Sequence, residues 1–288
     1  AMAAIADLEI APRGWYCGAL GVVRPDGAGG IRSTFNVPIR TVVVQGAQRQ
    51  ELRCGIGSGI TADATASGEW AEWRAKQAFL ERVGMGFDVI TTMALDSGAF
   101  RHLPLHVQRL QDAAAHFGFL FDTQALELTL HHVQDTHPSG LWRVRIALSR
   151  EGLWRSQVEV STPAPPVAYV QLASEPLPEA HSEFVRFKTT HRAHYARWAP
   201  KEAHILDTLL WNEAGEITEG TRGNVAALID GQWVTPALSC GLLNGVGRQV
   251  ALAEGRVVEG VIRVADVPQV QQWAFVNSLR GWVNVQLV

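Results

Sequence analysis

The spacing of apolar residues divides the chain near residue 83. On the amino-terminal side, residues about 14–24 and 34–45 are rich in Val, Ile and aromatic side chains and predict strands, with Arg24-Pro25-Asp26-Gly27 as the turn between them. A glycine-rich strand and turn over 50–62 and a helix over 67–82 follow, and Gly84 and Gly86 mark the helix exit. Residues 87–94 then predict a strand. Leu103, Val107, Leu110, Ala114 and Phe117 recur at intervals of three and four, the period of one helix face, and Gly118 can cap that helix. A helix over 123–134 and strands over 141–150 and 155–161 complete a first lobe.

Ser161-Thr-Pro-Ala-Pro-Pro166 cannot continue a strand ladder, because proline lacks the N–H donor, and it reads as an interlobe linker. Beyond it the pattern predicts strands at 167–173, 184–188 and 205–211, then two tight hairpins turning at Ala214-Gly215 and Asp230-Gly231. The Asp-Gly pair favours a type I′ turn. A helix at 246–254 and strands at 256–263 and 273–288 end the chain. The expected domains are 1–83 and 84–288, the latter with a small lobe (84–165) and a large lobe (166–288).

Composition narrows the class. Of 288 residues, 47% are hydrophobic and 18% charged, the profile of a globular rather than a disordered chain. A net charge of −3 with scattered Lys and Arg argues against a nucleic-acid partner, which needs a concentrated basic face. No apolar run approaches the ~20 residues of a membrane span, and the first residues lack a signal-peptide pattern. Cys17, Cys54 and Cys240 are odd in number, far apart and without metal-ligand spacing, so a reduced, cytoplasmic setting is expected.

The candidate chemistry lies in the second half. Phe184-Val-Arg-Phe187 alternates and would deliver Lys188 to a strand end, before a polar Thr-Thr-His-Arg stretch. A lysine held at the edge of a rigid element with a desolvated amine can bond a carbonyl cofactor; alone, a lysine after a strand reads as a solvated surface residue. Ile217-Thr-Glu-Gly-Thr-Arg-Gly-Asn224 puts Glu219 on a strand edge beside a glycine turn, either as partner of a protonated pyridine nitrogen or as a hairpin-rim charge. Leu242-Leu-Asn-Gly-Val-Gly-Arg248 opens a helix whose first N–H groups, near Val246 and Gly247, suit an anion. Arg109, off the apolar stripe of its helix, could clamp a phosphate or simply be exposed.

Residues 87–288 resemble the fold-type IV pyridoxal-phosphate family, and most closely the 4-amino-4-deoxychorismate lyases. The matching pieces are Leu105-His-Val-Gln-Arg-Leu110, Phe187-Lys-Thr-Thr-His-Arg192, Thr218-Glu-Gly-Thr-Arg-Gly-Asn224, Thr235-Pro-Ala-Leu-Ser-Cys-Gly-Leu-Leu243 and Phe275-Val-Asn-Ser-Leu-Arg280. The resemblance implies an α+β fold with two α/β lobes, pyridoxal 5′-phosphate as cofactor and a homodimer. It also implies Lys188 as the Schiff-base lysine, Glu219 at the pyridine nitrogen, Arg109 with the Val246 and Gly247 amides on the phosphate, and Asn224 beside the cofactor. Arg192, Arg222 and Thr92 become candidates for the substrate. Asn244 stands where the family usually has proline, and Thr91 where glutamate is common.

Residues 1–82 resemble the carboxyl end of the chorismate-binding enzymes, particularly aminodeoxychorismate synthase component I, through Pro12-Arg-Gly-Trp-Tyr-Cys-Gly18, Phe35-Asn-Val-Pro-Ile-Arg-Thr41, Gly55-Ile-Gly-Ser-Gly59 and Glu69-Trp-Ala-Glu-Trp-Arg-Ala-Lys76. That resemblance implies a partial α/β sandwich with Tyr16, Arg40, Gly57 and Lys76 as chorismate contacts. It implies Glu72 as a Mg²⁺ ligand only when the full upstream domain is present, and a glutamine amidotransferase as partner of the full-length synthase. Glu72 and Lys76 read equally as an i,i+4 helix pair. About 80 residues cannot rebuild that fold's core. The chain is therefore expected to be a portion of a longer fusion or a truncated relative, unable by itself to make aminodeoxychorismate.

The expected activity is lysis of 4-amino-4-deoxychorismate to 4-aminobenzoate and pyruvate. The alternatives are a fold-type IV aminotransferase for branched-chain or D-amino acids and a non-catalytic chorismate-binding module.

Overall fold

The computed structural model describes residues 5, 7–9, 11–45, 51–84, 86–161 and 167–288. The chain forms two compact units, Ala1–Gly86 and Phe87–Val288. The expected linker lies almost wholly outside the described residues, since 162–166 are not among them. No described helix is long and apolar enough to cross a membrane.

The first unit holds two antiparallel hairpins, β1 (Leu20–Pro25) with β2 (Ile31–Asn36) and β3 (Val42–Gln45) with β4 (Glu51–Cys54), followed by α1 (Ala66–Gly84). The predicted 14–24 strand begins only at Leu20, because Gly14 and Cys17 take left-handed φ of 58° in a turn. The predicted turn at residues 24–27 shifts to 26–30, where the Asp26 carboxylate accepts from the Ala28 and Gly30 N–H groups at 2.8 Å each. The predicted 34–45 strand splits, interrupted by Pro38 and by Arg40 at φ 51°. β1 and β2 are exposed along their whole length.

The second unit carries two sheets. An antiparallel four-stranded sheet, ordered β6-β5-β7-β8, comprises β5 (Val89–Asp96), β6 (Ala99–Phe100), β7 (Leu141–Leu148) and β8 (Trp154–Val160). Two helices accompany it, α2 (Leu103–Phe117) and α3 (Thr123–Thr136). Helix α2 buries His106, Leu110, Ala113, Ala114 and Phe117, and ends where Gly118 turns left-handed at φ 70° and donates to the Ala114 carbonyl. The sequence stripe found this helix but not its buried histidine. Asp122 caps α3 by accepting from the Ala125 N–H at 3.1 Å, satisfying one of the orphan donors of the first turn.

The larger sheet is eight-stranded and mixed, ordered β11-β10-β9-β16-β15-β12-β13-β14. Its members are β9 (Ala168–Leu172), β10 (Ile205–Trp211), β11 (Ile217–Gly220), β12 (Asn224–Ile229), β13 (Gln232–Pro236), β14 (Val258–Gly260), β15 (Gln272–Asn277) and β16 (Gly281–Leu287). The Asp230-Gly231 hairpin has positive φ at both residues, 50° and 77°, as a type I′ turn requires. Helix α5 spans Val246–Ala253.

Three expectations need correction here. The 273–288 stretch is two strands, because Asn277 Oδ1 accepts from the Leu279 and Arg280 N–H groups and turns the chain before Gly281, at φ 70°. The 256–263 strand contracts to β14. The 184–188 strand is instead one helical turn, α4 (Glu183–Arg186), followed by extended backbone at Phe187; Phe184 and Val185 of the turn and Phe187 and Lys188 after it all line one cavity.

The large-sheet core gathers Leu209, Ile217, Val225, Ile262, Trp273 and Phe275. Phe275 is 1% exposed, and a Cβ at Gly223 would stand 2.5 Å from its ring, so this side chain supports the turn beside Glu219. Phe275→Ala is expected to lower unfolding free energy by ~3–5 kcal/mol in urea titrations, the cost of an unfilled aromatic site.

Candidate active site

One cavity of about 490 Å³ is lined by both sheets of the second unit. Alternation along β5 turns Ile90 and Thr92 toward it, and on β7 Arg143 and Arg145 do the same. Lys188 enters from the segment after α4. Its main chain is fastened to β5: the Ile90 N–H donates to the Lys188 carbonyl at 3.0 Å, Thr189 bridges Val89, and the Thr190 N–H donates to the Asp88 carbonyl at 2.9 Å. Lys188 is thus held by strand-like bonds, although the residues before it are helical. Burial, with the Arg192 and Arg109 charges, pushes its amine pKa well below the ordinary lysine range, while Glu219 opposes the shift. A neutral, desolvated amine is a nucleophile.

Glu219 lies on β11 and is 3% exposed. The Tyr195 hydroxyl donates to Oε1 at 2.6 Å, and the Leu243 N–H donates to Oε2 at 3.2 Å. Burial raises its pKa to about 7, against the Tyr195 and Leu243 hydrogen bonds and the Arg192 and Lys188 charges. The Tyr195 phenol is itself pushed well above its usual range, by burial first and by Glu219. Arg192 stacks over the Tyr195 ring at 4.6 Å and donates to the Thr221 carbonyl.

The turn from Gly220 to Gly223 hangs on Asp207, which is fully buried. This carboxylate accepts from the Thr208 N–H (2.8 Å), the Thr221 N–H (3.0 Å) and hydroxyl (2.5 Å), and the Arg222 N–H (2.8 Å). Sequence reasoning missed it. The signal was there: a lone acid in the apolar strand Ile205-Leu-Asp-Thr-Leu-Leu-Trp211 must be hydrogen-bonded if buried. Tyr195, Arg143, Arg145 and Arg280 were missed as well, for they come to line the cavity that holds Lys188 only through the fold.

At the start of α5, Val246 lines the cavity and the Gly245 N–H turns back to the Leu243 carbonyl at 2.8 Å. Asn224 sets this loop by donating to the Leu243 carbonyl at 2.9 Å, and a Cβ on Gly245 would overlap its Oδ1. A Cβ on Gly247 would stand 2.6 Å from the Asn277 main chain, so glycine lets the helix start pack against the end of β15. Asn244 accepts from Arg248 at 3.2 Å. Opposite, Arg109 donates to the Thr91 hydroxyl at 2.6 Å, and that hydroxyl also meets His106 Nδ1 at 2.7 Å. Burial lowers the Arg109 pKa to about 10, and its Nε has no partner. An unpaired buried guanidinium N–H, free helix-start amides, a desolvated amine and a buried acid together fit pyridoxal phosphate: phosphate, aldehyde and ring nitrogen each find a complementary group.

In the first unit, Tyr16 lies against Gly55 and Gly57, where a Cβ on Gly57 would be 2.8 Å from its hydroxyl. Lys76 donates to the Gly57 carbonyl at 3.0 Å and pairs with Glu72 at 2.5 Å, the i,i+4 contact. Arg40 is exposed and joins none of these contacts among the described residues. A linked Glu69, Ser58 and Trp73 set stands beside them, unforeseen from sequence.

Comparison with known proteins follows the same division. Residues 88–288 match the family described as amino-transferase class IV. The chain belongs to that family. Residues 1–82 match the chorismate binding enzymes. A Schizosaccharomyces pombe protein named “Putative aminodeoxychorismate lyase” is 32% identical over 188 residues, 62% of this chain and 80% of its own. A Mesorhizobium loti structure titled “Putative amino-acid aminotransferase” is 34% identical, covers 70% of this chain and all of its own, and superposes with a TM-score of 0.66. The 4-amino-4-deoxychorismate lyase from Pseudomonas aeruginosa is 22% identical, covers 69% of this chain and 82% of its own, and has a TM-score of 0.55, which shows the shared fold. Class IV aminotransferases of fold-type IV depend on pyridoxal phosphate.

Glu219 gives this site a pH signature. Between its unfolded value of 4.5 and its folded value of about 7, the unfolded chain has released a proton that the folded chain keeps. Its contribution to stability is therefore lost as pH rises through that window, by at most ~3 kcal/mol. In urea titrations of cofactor-free protein, the stability difference between wild type and Glu219→Gln is expected to fall from pH 4.5 to 8. A flat difference would show that the carboxyl is not raised.

Proposed function

We propose that the protein is a 4-amino-4-deoxychorismate lyase, releasing 4-aminobenzoate and pyruvate. What carries the reading is the union on one chain of a class IV cavity, holding Lys188 and Glu219, with a segment that matches chorismate-binding enzymes. An enzyme that consumes an aminated chorismate gains from being joined to the segment type that handles chorismate. The name of the fission-yeast relative supports the same choice.

Pyridoxal phosphate, when bound, supplies an aldehyde for the amine and a protonated ring that stores the electron pair left by a lost proton. Lys188 would hold the aldehyde. Glu219 would face the ring nitrogen and share a proton with it, since a carboxyl with a pKa of about 7 shares one readily. Arg109 and the Val246 and Gly247 amides would hold the phosphate, and Asn224 keeps the Leu243–Gly245 loop in place for them.

The free Lys188 amine would take the proton from the ring carbon that bears nitrogen. The enolpyruvyl oxygen then leaves with its bonding pair, the six-membered ring becomes aromatic, and Lys188 returns the proton to the enolpyruvate methylene to give pyruvate. Thr92 lines the cavity beside this path. Arg192 serves by orienting Tyr195 and the Thr221 carbonyl around Glu219. A homodimer and a cytoplasmic setting belong to the same reading.

Lys188→Ala is expected to lower pyruvate release from 4-amino-4-deoxychorismate by at least ~10²-fold, the usual worth of a positioned acid–base group. The same variant should lose the cofactor band that borohydride bleaches. Amination of branched-chain 2-oxoacids by the wild type, with no pyruvate release, would favour an aminotransferase instead.

A further inference from the structure

Six arginines line the Lys188 cavity against two glutamates, Glu159 and Glu219. Three of the six are already engaged. Arg109 is bonded to Thr91, Arg143 pairs with Glu159 at 2.6 Å, and Arg192 is tied to Thr221 and Tyr195. Arg145 acts on Lys188 through its charge and so lies toward the reacting amine. Arg222 and Arg280 differ from the rest. They alone line both this cavity and a second hollow of about 390 Å³ formed with residues 200–206.

The two are firmly mounted. The Arg222 N–H is held by Asp207 at 2.8 Å and its guanidinium spends one donor on the Leu206 carbonyl at 3.1 Å. The Arg280 N–H is held by Asn277 Oδ1 at 2.8 Å, and the neighbouring Ser278 hydroxyl donates to the Thr92 carbonyl at 3.2 Å. The Arg280 guanidinium makes no ion pair or hydrogen bond among the described residues, and its Nε is buried without a partner. Its pKa is lowered by burial and by the Arg222 and Arg143 charges, while Asp207, already engaged by four donors, only partly compensates. Two adjacent cations on fixed backbones with donors to spare form a receptor for a planar anion.

We propose that Arg280, together with Arg222, is the subsite for the substrate's ring carboxylate, the one opposite the amine. This rests on the lyase reading for the identity of the ligand, but the subsite itself needs only an anion held where Arg222 and Arg280 line the cavity. Selectivity for the charged group over its neutral amide follows, because the amide would leave the part-buried Arg280 guanidinium without a counter-charge.

The test is binding of 4-aminobenzoate and of 4-aminobenzamide to the holoenzyme, followed through the cofactor absorbance, beside kcat and KM for 4-amino-4-deoxychorismate. Wild type is expected to favour the acid by at least about tenfold. Arg280→Met should abolish that preference and raise KM about tenfold or more with a smaller change in kcat, and Arg280→Lys should keep part of it. Arg222→Met, at an exposed position, tests the same subsite if Arg280→Met does not fold. Equal binding of the two probes, binding of neither, or an unchanged preference in the variants overturns the subsite, even where pyruvate release and its loss in Lys188→Ala uphold the lyase. Conversely, an acid preference lost in Arg280→Met upholds the subsite even where no pyruvate is released.

Discussion

Taking the Lys188 amine and the Glu219 carboxyl out of water into one cavity governs what every neighbouring element has to do. Each group resists its charged form when buried, so the amine drifts down and the acid drifts up in pKa. The surrounding cations, Arg192 and Arg109, deepen the shift on the lysine, while Arg192 moderates that on the glutamate. The outcome is an amine able to attack and an acid able to hold or release a proton near neutral pH. Neither property belongs to the residues in water.

Two separate supports keep that pair from collapsing into a simple ion pair. Lys188 is fastened through its backbone to β5, part of the four-stranded sheet, whereas Glu219 is a member of β11 in the eight-stranded sheet. The cavity is the space between what the two sheets carry. Each sheet has its own core, so the spacing of amine and acid is set by packing and does not depend on the attraction between them. Phe275 and Gly223 illustrate the coupling: a core ring of the large sheet fills the place where any side chain at 223 would go, and so fixes the turn that follows Glu219.

The fold was legible wherever a single period ran unbroken. The α2 stripe, the Asp230-Gly231 turn and the strand at 205–211 all declared themselves in sequence, because local chemistry and final structure agree there. The errors fell where a tertiary contact overrides a local pattern. Phe184-Val-Arg-Phe187 alternates on paper, yet residues 183–186 form a helical turn, closed where the Arg186 and Phe187 N–H groups donate to the Ser182 and Glu183 carbonyls, and only Phe187 is extended. At 273–288, a side chain–backbone turn at Asn277 breaks what reads as one strand. Within the site, Lys188 and Glu219 could be singled out from motif and resemblance. Tyr195, Asp207 and Arg280 could not, since their meaning lies in what they touch across the fold.

The two buried acids of this region show how burial alone fails to sort roles, and what does. Asp207 and Glu219 are both removed from water, and burial raises the pKa of both. A carboxylate offers about four lone-pair sites. Asp207 has four donors on it, the Thr208, Thr221 and Arg222 N–H groups and the Thr221 hydroxyl, so its bonding is spent on shaping the turn. Glu219 has two, from Tyr195 and the Leu243 N–H. It alone keeps acceptor capacity facing the cavity, which is what a protonated ring nitrogen requires. The donor count separates the structural acid from the chemical one.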